Sequence, residues 1–143
     1  MHTDTIHLLG ACTADIHKTV ATIEQLLPDV RDYTLRSTLR SSCRQHDALL
    51  EQSRRLLREM GQTEKQPGVG ARGMTWLRCS AQMALRRDDR NAAYAVAQTC
   101  DHTVKNLCRN RNCYTAAAYP AVDLAGQLIH YAEKLSASMR PFL

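Results

Sequence analysis

Residues 6–27 read IHLLGACTADIHKTVATIEQLL, and this stretch decides the fold class. Within it Ile6, Leu9, Thr13, Ile16, Val20, Ile23 and Leu27 follow one another in alternating steps of three and four. That spacing lays one side chain per turn along a single helical face, whereas a half-buried strand would alternate every second residue. Thr3 or Asp4 can cap the start, and Pro28-Asp29 ends the run, so a helix is expected over about Asp4–Leu27.

The same reasoning extends along the chain. A second helix is expected from Asp32 to Met60, with Leu35, Leu39, Ser42/Cys43, His46, Leu49/Leu50, Ser53, Leu56/Leu57 and Met60 facing inward and Gly61 at its end. Two long helices joined by a short turn pack as antiparallel neighbours. Gln62 to Gly73 then carries Pro67, Gly68, Gly70 and Gly73 with no apolar period, which reads as one long connection. A short helix follows from Met74 to about Leu85. Asp88 or Asp89 suits the cap of a third main helix over Arg90–Cys108, with Ala92, Ala95/Val96, Thr99, Thr103 and Leu107 inward. Arg109-Asn110-Arg111-Asn112 reads as a turn. The fourth helix is expected over Tyr114–Met139, or from Pro120 onward, with Ala118, Val122, Ala125/Gly126, Ile129, Ala132, Leu135 and Met139 inward. The expectation is an all-α, antiparallel four-helix bundle, with an extra short helix after a long loop between helices two and three.

Composition agrees with that class. At 143 residues the chain forms one domain, spanning 1–143, with enough length to bury a core. Aromatic residues make up only 5%, and a core of Leu, Ala, Val and Ile suits a bundle better than a sandwich. No apolar run approaches the ~18–20 residues a membrane span needs. Met1-His2-Thr3-Asp4-Thr5 lacks a basic stretch leading into an apolar one, so a cytoplasmic location is expected. The six cysteines (Cys12, Cys43, Cys79, Cys100, Cys108 and Cys113) contain no Cys-x-x-Cys and read as small apolar packing groups rather than a disulfide framework.

The net charge of +5 comes mostly from arginine. Arg36, Arg40, Arg44, Arg54, Arg55 and Arg58 are interleaved with Asp47, Glu51 and Glu59, as on a solvated outer face. No motif for specific nucleic-acid binding is present. Gly68-Val69-Gly70-Ala71-Arg72-Gly73 lacks the preceding strand and the lysine of a phosphate loop.

Two stretches carry the chemistry: Cys43-Arg44-Gln45-His46 and Gln127-Leu128-Ile129-His130. Residues three apart share a helical face, so Cys43 with His46 and Gln127 with His130 are each expected to aim inward. A thiolate and two imidazoles from Cys43, His46 and His130 would make three ligands of a kind that Zn²⁺, copper or iron accepts. Cys12 and His17, or Cys100 and His102, flank the apolar stripes as further contributors. Against this stands a metal-free polar layer, in which the histidines bond to Gln127, Thr99 or Thr13 and fix helix register. Catalytic readings are thinner: Cys43 beside His46 lacks an evident third group, and Asp15, Asp101 and Asp123 are lone acids. Trp76, with Met74, Leu77 and Met83, reads as a plug at one end of the bundle or an anchor between subunits.

Taken in order, Leu56-Leu57-Arg58-Glu59-Met60-Gly61, Gly73-Met74-Thr75-Trp76-Leu77, Asp88-Asp89 and His130-Tyr131-Ala132-Glu133-Lys134-Leu135 resemble the ferritin-like superfamily. More closely, the chain resembles uncharacterised bacterial ferritin-like bundles of about this length. The resemblance implies a usually self-associated antiparallel bundle without an established activity. Di-iron bundles of this superfamily carry Glu-x-x-His on two helices and a Glu on each of the others. Here Cys43 and Gln127 stand where those two Glu-x-x-His motifs would begin. The expected function is therefore a non-enzymatic interaction or structural protein whose di-iron site is lost. The alternative is a bundle that binds Zn, Cu or Fe for storage or sensing.

Overall fold

A computed structural model describes residues 2–62 and 87–143. Four long α-helices pack together: α1 (His2–Leu26), α2 (Tyr33–Glu59), α3 (Asp89–Cys113) and α4 (Tyr119–Met139). Short 3₁₀ turns follow α1 at Leu27–Asp29 and α4 at Arg140–Phe142. No strand occurs among the described residues. The long connection expected after Gln62 and the short helix from Met74 to Leu85 lie outside the described residues, as do Trp76 and Cys79.

Local chemistry sets the helix ends. The Asp32 carboxylate accepts from Leu35 N at 2.9 Å and starts α2, and Asp88 accepts from Asn91 N at 2.9 Å and starts α3. At the end of α2, Gly61 N donates to Arg58 O and Gln62 N to Leu57 O, each at 2.9 Å. This pair of bonds needs a left-handed residue at Gly61, whose φ is +72°, and glycine adopts it without a Cβ penalty.

Three boundaries differ from expectation. The first helix begins at His2, so Thr3 and Asp4 lie within its first turn rather than capping it. Arg109-Asn110-Arg111-Asn112 is helical, not a turn, because α3 continues to Cys113. The Asn110 amide bonds back to Asn106 O at 2.8 Å, and Tyr114 N closes on Asn110 O at 2.8 Å. The fourth helix begins at Tyr119 with Pro120 in its first turn, the later of the two starts considered.

Side chains near the ends of α1 hold the two ends of the bundle. Asp89 accepts from Arg31 N at 2.8 Å and Asp32 N at 2.9 Å, with Arg87 pairing Asp29 at 3.2 Å close by. Beyond the other end, Ala116 N donates to Asp4 at 3.0 Å and Ala118 N to Thr5 Oγ1 at 2.8 Å. We expect Asp89→Ala to destabilise by about 1–3 kcal/mol, since it leaves two N–H groups without their charged acceptor. Urea unfolding of the variant against Asp89→Asn, which keeps one acceptor, would measure this.

The core divides along the bundle axis. One apolar cluster holds Ile23, Leu26, Leu35, Leu39, Val96, Leu135 and Met139. The other holds Leu8, Leu9, Ile16, Leu49, Leu107, Leu124 and Leu128. Between them, in helix order, fall Thr19 from α1, Ser42 and His46 from α2, and Thr103 from α3, all buried. Helix α4 contributes no buried polar side chain to this layer.

Candidate functional site

His46 sits in that central layer with 2% of its surface exposed. Its Nδ1 lies 2.8 Å from Ser42 O, and a carbonyl can only accept, so Nδ1 carries the proton. Ser42 Oγ adds a longer contact at 3.4 Å. Burial pushes the His46 pKa down, which keeps the ring neutral and leaves Nε2 as a bare acceptor.

Cys43, one turn earlier on α2, is half-buried and packs against the cluster of Leu35 and Leu39. Burial, with Glu24 and Asp47 nearby, pushes its thiol up to about 11. A thiol nucleophile needs the opposite shift, because the thiolate is the reactive form. Cys12 and Cys100 are buried and raised to about 12, again chiefly by burial. Cys12, Cys43, Cys100, Cys108 and Cys113 are all free thiols.

His130 is exposed, contrary to the inward position expected for it. The buried face of α4 is Ala121, Leu124, Ala125, Leu128, Ile129, Ala132, Leu135 and Met139. Of the expected stripe, Ala125, Ile129, Ala132, Leu135 and Met139 are buried, whereas Ala118, Val122 and Gly126 are half-buried, so over the first half of the helix the buried face lies about one residue from the expected one. One residue is a swing of about 100°, enough to carry Gln127 to a half-buried position and His130 to the surface. There His130 lines an open groove of about 430 Å³ with Asp123, Gln127 and Tyr131. Gln127 Nε2 donates to Asp123 Oδ2 at 2.7 Å, so its amide serves its own helix rather than the core. Among the described residues, no three His, Cys, Asp or Glu side chains are grouped to hold a metal ion, and Cys43, His46 and His130 form no such group.

The polar contacts that do cross between helices involve other residues. Thr13 Oγ1 and Ser53 Oγ lie 2.8 Å apart and link α1 to α2. Asn106 Nδ2 donates to Asp15 Oδ2 at 2.8 Å and links α1 to α3. Asp15 is 4% exposed, and burial raises its pKa to about 6 despite the Asn106 bond and nearby Lys18. Thr103 Oγ1 is buried without a hydrogen-bond partner.

Sequence reasoning noted Asp15 only as a lone acid and passed over Asn106. A signal was present: Thr5, Cys12, Thr19 and Leu26 repeat every seven residues, as do Leu8, Asp15 and Thr22. All seven are buried, because α1 packs against α2, α3 and α4 at once. A helix with three neighbours buries a wider face than one stripe.

No helix among the described residues is long and apolar enough to cross a membrane. No protein-family model matches the chain, and no curated protein or solved structure shows significant similarity to it.

Proposed function

We propose that this chain is a non-enzymatic interaction or structural protein, built as a ferritin-like antiparallel bundle in which hydrogen-bonded polar residues occupy the place of a di-iron site. The observation that carries the reading is that polar side chains in the bundle interior bond to protein groups, Thr13 to Ser53 and Asp15 to Asn106 across helices and His46 Nδ1 to Ser42 O within α2, with Thr103 Oγ1 the exception among the described residues. Hydrogen bonds between particular positions on different helices hold only in one register, a recognised use of buried polar groups.

The connection pattern supports the architecture. The start of α3 meets the end of α1 through Asp89, and the loop before α4 meets the start of α1 through Asp4 and Thr5. Gln62 follows the end of α2, where Met60 lines a cleft with His2, whereas Arg87 pairs with Asp29 beyond the end of α1. Self-association and a cytoplasmic location belong to the same proposal.

The test is elemental analysis of untagged protein purified without chelator, followed by thermal unfolding with Zn²⁺, Cu⁺ and Fe²⁺. The expected result is no stoichiometric metal and unchanged unfolding with each ion. His46→Ala should cost about 1–3 kcal/mol whether or not metal is present, as for other buried hydrogen-bonded groups. About one tightly held ion per chain, lost in His46→Ala, would overturn this proposal in favour of a Zn, Cu or Fe bundle.

A further inference from the structure

The groove beside His130 lies on the outer face of α4, and its lining residues all come from that helix. Gly126 leaves a gap in this face. Among the described residues a Cβ at that position would meet only the Arg111 guanidinium within 4 Å, at 3.9 Å, which is an ordinary contact. Packing within the chain therefore has room for alanine, and glycine is the less stable choice in a helix interior. What a bare backbone does permit is the close approach of something from outside.

The other groups on this face are ordered symmetrically about Gly126-Gln127. Asp123 stands three residues before Gly126 and His130 three after Gln127, while Tyr119 and Lys134 stand seven before and seven after. At 100° per residue these four fall within about 60° of one another. Tyr119 is 77% exposed, and His130 and Lys134 are exposed as well. Asp123 and His130 are about 10 Å apart along the axis, too far to bond within one helix. The Gln127 amide holds Asp123 Oδ2 at 2.7 Å and leaves Oδ1 able to accept from outside. His130 makes no hydrogen bond among the described residues, and its ring lies 6.1 Å from that of Tyr131 between centroids.

We propose that the outer face of α4 is the contact surface between two copies of this chain, packed antiparallel about a two-fold axis at Gly126-Gln127. In such an arrangement residue i meets residue j and j meets i. Asp123 of each copy accepts from the imidazole N–H of the other copy's His130, Tyr119 lies against the other copy's Lys134 as a cation–π pair, and the glycine backbones pass at the centre. With Asp123 and Lys134 on one face, neither a polyanion nor a polycation finds a single sign to bind. The order complements itself when reversed, which is what a second copy supplies. The inference rests on the self-association in the reading above and gives it a surface.

The experiment is sedimentation velocity of the full chain from micromolar to millimolar concentration, on wild type, His130→Asp, Asp123→Lys and an equimolar mixture of the two variants. A reversible monomer–dimer equilibrium is expected for wild type, because one helix face per copy makes a small interface of the transient class. Each variant alone should associate roughly ten-fold more weakly, since two exposed attractive pairs are lost and replaced by pairs that do not attract. The mixture should recover the wild-type affinity: the introduced lysine of one chain faces the introduced aspartate of the other, and the remaining Asp123 and His130 face each other. Only folded chains can show that recovery, so it also excludes misfolding as the cause of the loss. Wild type that stays monomeric at millimolar concentration, a dimer that survives both variants, or a mixture no tighter than its parts would each overturn the proposal. Elemental analysis decides the metal-free reading separately, so the two can fail independently.

Discussion

Asp15→Asn is expected to make the protein more stable at pH 7, by about 1–3 kcal/mol, where most substitutions of buried residues do the reverse. Asp15 is 4% exposed, and its folded-state pKa is raised from 3.8 to about 6. Above pH 6 the folded chain therefore holds a buried carboxylate that the unfolded chain would hydrate. At about 1.4 kcal/mol per pKa unit the charge costs roughly 3 kcal/mol. Asparagine keeps an oxygen for the Asn106 amide at the same place and removes the charge, although its own NH₂ needs hydration, which lowers the gain.

The pH dependence has a definite sign. A carboxyl group with a raised folded pKa binds more protons in the folded state between about 4 and 6. Stability from Asp15 alone therefore falls as pH rises through that window and stays low above it. His46 acts oppositely: its folded pKa is pushed below 6.5, so stability is lost as pH drops through the unfolded value. A raw stability curve mixes the two, whereas the difference between wild type and Asp15→Asn isolates the carboxylate. Urea unfolding of both proteins from pH 4 to pH 8 should show a gap that is widest near pH 7 and nearly closed near pH 4. A constant gap would mean that Asn is better packed there, and that the charge is not the cause.

The second large effect concerns the two apolar clusters. Leu39 lies in one and Leu124 in the other, both fully buried, with the polar layer between them. Leu39→Ala and Leu124→Ala should each destabilise by about 2–5 kcal/mol, the range for emptying a buried leucine site. Distant sites add to within roughly 0.5 kcal/mol, so the double variant should lose about 4–10 kcal/mol, with any departure from the sum carried by side chains such as Val104, which packs against both clusters. A domain of this size has about 5–15 kcal/mol in all, and the double variant would sit near its unfolding threshold. Denaturant unfolding followed by circular dichroism should show a single transition in each single variant. Two separated transitions would mean that the polar layer uncouples the clusters.

What could be read before folding follows from chemistry that acts over a few residues. Gly61 after α2, Asp88 before α3, and Pro28 after α1 each act on backbone groups at most a few positions away. The turn misread at Arg109–Asn112 shows the reverse case. Polar residues that usually favour turns are kept helical, with Asn110 bonding back to Asn106 within the same helix.

The candidate site was legible on one helix and not on the other. Helix α2 has the strongest separation of apolar from polar residues, with arginines covering its outer face, so its rotation and the inward place of His46 could be read from spacing. Helix α4 has apolar or small residues at Val122, Leu124, Ala125, Gly126, Leu128 and Ile129, which fit more than one face. Packing against α3, α2 and α1 selected the face of Leu124 and Leu128, and His130 turned outward with that choice.

The amino-acid sequence alone thus determined that this chain is helical, roughly where α1 and α2 run, that Gly61 ends α2, that α3 starts at Asp88 or Asp89, and that His46 points inward, because periodicity and capping operate within a turn or two. Only the tertiary structure decided that His130 stands outside, that Asp15 meets Asn106, and that a polar layer splits the core. Those facts depend on the relative rotation of packed helices, and that rotation is set by the summed fit of whole faces against their neighbours rather than by any one motif.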